Sequence, residues 1–169
     1  MKSMNDGGVG AEGSAVIESD SPRRASSRNA RYRARAFALQ GVYQWLLTRE
    51  DYGAIRAHIA RSPGFARADR EHFEVLLSGA IRQAPALEGE IVPHIDRDLA
   101  LLSPVERAIL MIACLELRDM HEIPYRVVLN EAINLAKDYG GTDGYKFVNG
   151  VLDRLASGLR PIEAAGHKP

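Results

Sequence analysis

From Asn29 onward, apolar residues recur at helical spacing. Ala30, Ala34, Phe37, Ala38, Gly41, Trp45 and Leu46 share one face and predict an amphipathic helix over about 29–48. A shorter helix follows over about 51–61 and stops at Ser62-Pro63-Gly64. Asp69 is placed to cap a third helix, which turns Phe73, Leu76, Leu77, Ala80 and Ile81 inward up to Pro85. Leu87, Ile91, Val92 and Ile95 continue the apolar face, but Pro93 predicts a kink or a helix end.

The next start is sharper. Ser103-Pro104-Val105-Glu106 reads as a capping box, with Pro104 at the first helical position and Glu106 reaching back to Ser103. Ile109 to Leu117 is apolar almost all round, as a central buried helix requires. Ile123-Pro124 opens a further helix that ends at Gly140-Gly141. Thr142 is placed to cap the last one, which runs to about Ser157 with Phe147, Val148, Val151, Leu152 and Leu155 inward. No segment alternates with period two, so the expected class is all-α.

Composition sets limits on this picture. The chain has 169 residues, 46% of them apolar, which suits one domain with an adequate core. Residues 1–27 are rich in Gly and Ser and are expected to be a disordered tail. The helical domain is expected over 28–160, with a frayed tail over 161–169. No apolar run approaches the roughly 18 residues of a membrane span, and the first residues do not read as a secretory signal. A single cysteine, Cys114, fits a reducing cytoplasm.

The balance of 22 basic and 22 acidic residues hides an asymmetry. Residues 1–20 carry a net charge of −3, and residues 50–169 a net of −4. Residues 21–49 carry +7, all of it arginine, with no acid interleaved. Guanidinium groups suit bidentate phosphate contacts and stack on bases, so this block points to a polyanion-binding arm. Arg24, Arg28, Arg31 and Arg35 are spaced four, three and four apart and would form a stripe.

Four segments, in order, carry a family resemblance. They are Arg31-Tyr32-Arg33-Ala34-Arg35 running into Ala38-Leu39-Gln40-Gly41-Val42-Tyr43-Gln44-Trp45; Pro104-Val105-Glu106-Arg107-Ala108-Ile109-Leu110; Ile123-Pro124-Tyr125-Arg126-Val127-Val128-Leu129-Asn130-Glu131-Ala132; and Lys146-Phe147-Val148-Asn149-Gly150-Val151-Leu152-Asp153. Together they resemble the NusB family of bacterial transcription antitermination factors, from about Ala30 to Ala156. The resemblance implies roughly seven helices in two packed halves. It also implies binding of the single-stranded boxA element of nascent ribosomal RNA together with NusE, a small-subunit ribosomal protein. The resulting complex lets RNA polymerase read through terminators. A homodimer is compatible with the resemblance, as is a monomer. A related domain fused to an RNA methyltransferase is not expected in a chain of this length.

By the same resemblance, Arg31, Arg33 and Arg35 contact RNA, and Arg28 supplements them from upstream. Tyr32 stands where an arginine can occur. Lys146 faces phosphate and Phe147 a base, although periodicity alone also fits Phe147 to the core. Asp143 beside them fits either a helix-capping or a base-contacting role. His94 stands where some members place an aromatic RNA contact, and Met111 where an arginine can occur. Tyr43 and Glu106 match positions that face NusE, while a capping box would also account for Glu106. The histidines show no paired metal spacing and no nucleophile, base and orienter assemble, so neither an enzyme nor a cofactor is expected. The competing readings are a helical protein-docking module with a non-specific basic arm, and a duplex-DNA binder.

Overall fold

The computed structural model describes residues 22–166, with side chains from Ser26 onward. Among the described residues there are eight α-helices and no strand. They are α1 (Pro22–Thr48), α2 (Tyr52–Ala60), α3 (Arg70–Arg82), α4 (Ala84–Ile91), α5 (Pro104–Asp119), α6 (Tyr125–Tyr139), α7 (Gly144–Leu159) and α8 (Pro161–Ala165). Residues 1–21 of the expected tail lie outside the described residues. The tail was expected to reach residue 27, yet α1 is already helical from Pro22. Extending a nucleated helix adds one hydrogen bond per residue, and proline suits a first helical position.

Helix α5 is the axis of the molecule. Ala108 through Leu117 are all buried, and α5 packs against α1, α3, α4, α6 and α7. One half is built from α1, α2 and α3, and the other from α6 and α7. Gly41 lets α1 and α3 approach closely, since a Cβ there would lie 2.6 Å from Leu77 Cδ1. Phe65 joins Phe37 and Phe73 by edge-to-face contacts at 5.4 and 4.9 Å, sealing the end of this half.

Most helix starts follow the expected chemistry. Asp51 accepts from Gly53 N, Asp69 from His72 N, and Ser103 Oγ from Glu106 N at 3.1 Å. Pro93 falls in a 3₁₀ turn, Val92–His94, immediately after α4 ends. Two expectations fail. Only half of the capping box forms, because the Glu106 carboxylate lies against Gly144 at the start of α7 rather than returning to Ser103. Helix α7 starts at Gly144 with Asp143 before it, so Thr142 is not its cap.

The C-terminal end is docked rather than frayed. Arg160 is buried and donates to the carbonyls of Leu117, Ile123, Glu116 and Met120 and to Glu163 Oε1. Glu163 Oε2 accepts from Tyr125 N at 3.0 Å, which caps α6. One arginine thereby satisfies the exposed carbonyls where α5 ends, and its partner serves the next helix start. A spacing-based reading overlooks this because the anchoring residue is a cation just beyond the last apolar position.

Candidate nucleic-acid interface

The arginine arm divides by helix face. Arg28 is exposed at the rim, with Glu131 in its electrostatic reach. Arg31 is half-exposed, its Nε 3.6 Å from Asp69 Oδ2. Arg33 lies half-buried on another side of the helix, beside Tyr139, and no carboxylate of the described residues pairs with it. Tyr32, between these faces, donates its hydroxyl to Asp138 on α6. Burial and that acidic neighbour push the phenol well above its ordinary pKa.

Arg35 corrects the expectation that it contacts RNA. It is 3% exposed, and its Nε and Nη2 each lie 2.8 Å from the carboxylate oxygens of Glu116, itself 1% exposed. Nη1 lies 3.7 Å from Glu131 Oε2, and His72 Nε2 sits 3.7 Å from Glu116 Oε2. Burial opposes the charge of Glu116, but the nearby His72 and the hydrogen-bonded Arg35 outweigh it and hold the carboxyl below its ordinary range. The cation is consumed inside the fold, joining α1, α3, α5 and α6.

The second cluster forms where the α4–α5 connection meets α7. Phe147 is half-buried at the edge of the core, and the Arg97 guanidinium lies over its ring at 4.8 Å from the centroid. Asp96 holds Arg97 through a 2.9 Å hydrogen bond. Arg154 donates to the backbone oxygen of His94 at 2.6 Å, fixing the turn that presents the His94 ring. Lys146 is exposed, 3.4 Å from Asp143, with its ammonium 6.0 Å from the Tyr145 ring. His94, Asp143, Lys146 and Phe147 thus share one corner, lined by cations and an aromatic face. Met111 is fully buried, so its place in the sequence has no surface counterpart here.

The arm and the corner are joined through Lys137. It lines the groove between α1 and α6 together with Arg28 and Tyr32, and its ammonium lies 5.0 Å from the Tyr145 ring. Arg97, Arg154, Lys137 and Tyr145 were all overlooked in the sequence. The residue types were visible, but the packing of α6 on α7 is what brings Lys137 to Tyr145, and the docking of the α4–α5 connection on α7 is what brings Arg97 over Phe147.

Tyr43 and Glu106 lie on a neighbouring face. Tyr43 is exposed and borders an apolar depression of about 420 Å³ with Leu47, Val105 and Tyr139. Glu106, next to Val105, reaches the first turn of α7, where a Cβ on Gly144 would lie 2.7 Å from its Oε1. No helix of the described residues is long and apolar enough to cross a membrane. Cys114 is buried on α5, and its thiol is pushed up to about 12 by burial, so it is an inert core residue.

An all-helical bundle with a basic arm and a cation-lined aromatic corner defines a nucleic-acid-binding helical protein. Comparison gives the family: a model described as the NusB family matches residues 32–157, and the chain belongs to that family. The transcription antitermination protein NusB of Bordetella pertussis is 54% identical over 144 residues, covering 83% of this chain and 94% of that one. Its counterpart in Ralstonia pickettii is 50% identical over 150 residues, covering 89% and 97%. The T. maritima NusB structure superposes with a TM-score of 0.70 at 30% identity, over 80% of this chain and 96% of that one. A crystal structure of antitermination factors NusB and NusE in complex with double-stranded RNA gives a TM-score of 0.65 at 25% identity, over 75% and 97%. These relatives are transcription antitermination factors, not enzymes.

Proposed function

We propose that this chain is a cytoplasmic antitermination factor that binds the boxA element of nascent ribosomal RNA together with NusE, helping RNA polymerase read through terminators. The carrying observation is the physical continuity of the basic arm with the Lys146–Phe147 corner through Lys137 and Tyr145. Exposed cations supply a salt-sensitive grip on phosphate, and Phe147 offers a stacking face to an unpaired base. Arg28, Arg31 and Arg33 serve the strand from the arm, while His94, Asp143, Lys146 and Phe147 serve it at the corner. Tyr43 and Glu106 face the ribosomal partner across the apolar depression.

A duplex-RNA reading is favoured by the relative bound with double-stranded RNA. Titrating the protein, with and without NusE, against boxA strand, scrambled strand, duplex RNA and duplex DNA at two salt concentrations separates the readings. A boxA preference that strengthens with NusE and weakens with salt is the expected result. Equal binding to all four leaves only a non-specific basic surface.

A further inference from the structure

We infer that the groove between α1 and α6 is a second seat for an unpaired nucleotide, its base laid against Tyr32 and its edge met by the side-chain amides of Asn130 and Asn134. The inference rests on the proposed strand binding but places it at a site separate from the Lys146–Phe147 corner. The groove has a volume of about 640 Å³, ample for one nucleotide. On α6, Val127, Asn130, Asn134 and Lys137 follow at steps of three, four and three, so they form one stripe along the wall. Tyr32 forms part of the opposite wall on α1.

Three features fit a nucleotide. Tyr32 is tethered by its hydroxyl to Asp138, so the orientation of its ring is fixed before any ligand arrives. Asn130 and Asn134 are exposed, and among the described residues nothing hydrogen-bonds their amides. An amide offers a donor beside an acceptor, the pattern that matches the edge of an unpaired base. Arg28 and Lys137 put cations at opposite ends of the groove, where phosphates on either side of a seated base would lie. Two acids share the groove: Asp138, which accepts from Tyr32, and Glu131, whose Oε2 lies 3.7 Å from Arg35 without a hydrogen-bond partner. The mostly polar lining, with Val127 as its exposed large apolar side chain, argues for a nucleotide over an apolar peptide.

The test uses the full chain and boxA RNA strands shortened stepwise from each end, titrated by fluorescence anisotropy at several salt concentrations. N130A/N134A should bind the full strand roughly five- to thirtyfold more weakly, a loss of about 1–2 kcal/mol. Its salt slope should not change, because no cation is removed, whereas K137A should lower the slope by about 0.7. Once the strand is too short to reach the groove, N130A/N134A and the parent should bind equally. In the parent, a strand carrying a photoreactive uridine should crosslink to Tyr32 or α6, a readout that needs no variant.

Equal binding at every length, with no such crosslink, overturns the proposal while leaving the corner intact. Loss of NusE binding with strand affinity unchanged also overturns it, by making the groove a protein seat. Failure of the parent to bind any RNA removes the underlying function as well, and that outcome is distinct from the other two.

Discussion

Arg35 and Glu116, 81 residues apart in sequence, meet as a two-pronged ion pair, both hydrogen bonds 2.8 Å, inside the bundle. The pair fixes the rotation of α1 about its own axis. That rotation decides which arginines of the arm face solvent, so a buried contact sets the geometry of an exposed surface. Breaking such a pair leaves an uncompensated buried charge, which costs about 3–5 kcal/mol. R35A and E116Q should each lower the urea midpoint by a comparable amount. Where enough folded protein remains, the salt slope of RNA binding should match the parent, because Arg35 touches no phosphate. R33Q should behave in the opposite way, with unchanged stability and a slope lower by about 0.7. A reduced slope in R35A would contradict this assignment.

The same cluster predicts a dependence on pH. Glu116 lies below its ordinary value of 4.5, so its contribution is present above that value and lost as pH falls through the depressed one. Glu131 is shifted the other way. Burial raises its carboxyl and Glu116 adds to the rise, while Arg35 and Arg28 pull it down. Its contribution is present below 4.5 and lost as pH rises through the raised value. Urea unfolding at neutral pH and at successive points below pH 5 should show E116Q losing less stability on acidification than the parent. E131Q should lose more, and should gain relative to the parent near neutrality.

Arg160 predicts a large effect from a position close to the end of the described chain. R160A leaves the Leu117 and Ile123 carbonyls without their partner, takes a second donor from the Glu116 and Met120 carbonyls, and releases Glu163. The expected loss is about 3 kcal/mol or more, measured by chemical denaturation. R160K should recover only part of it, since an ammonium cannot reach every acceptor at once. Near-parent stability in R160A would show that the C-terminal helix is not a clamp.

The corner predicts a separable pair of effects. F147L keeps an apolar contact with the core but removes the stacking face, and should weaken strand binding by about 1–3 kcal/mol with little change in melting temperature. R97Q removes a cation resting on that ring and should lower the salt slope if the guanidinium also meets phosphate. A double-mutant cycle on affinity should be non-additive, because the two side chains form one surface. Additive losses would separate them.

Much of the helical order could be read from the chain because its signals are local. Ser103 before Pro104, Asp69 before α3 and Pro93 after α4 each act within a turn or two of backbone. The burial of α5 followed from its continuous apolar run. What escaped was set by long-range packing. The arginines looked equivalent in a block without acids, since their carboxylate partners, Glu116 and Glu131, lie far along the chain. Glu116 itself was hidden within an apolar stretch. Similarly, Phe147 fitted both core and surface roles by spacing, and the structure shows it half-buried beneath Arg97. The arm was legible as charge, but not as the face each charge would take.

On the function proposed above, the close approach of Glu106 to Gly144 brings the protein-facing and strand-facing surfaces together at the start of α7. A protein that draws this carboxylate toward itself alters the footing of the turn from which Lys146 and Phe147 project. Thermodynamic reciprocity then requires any gain in strand affinity conferred by the protein to be returned in equal measure by the strand. Assembly would thus tighten in either order of arrival, with one glycine's missing methyl leaving room for the exchange.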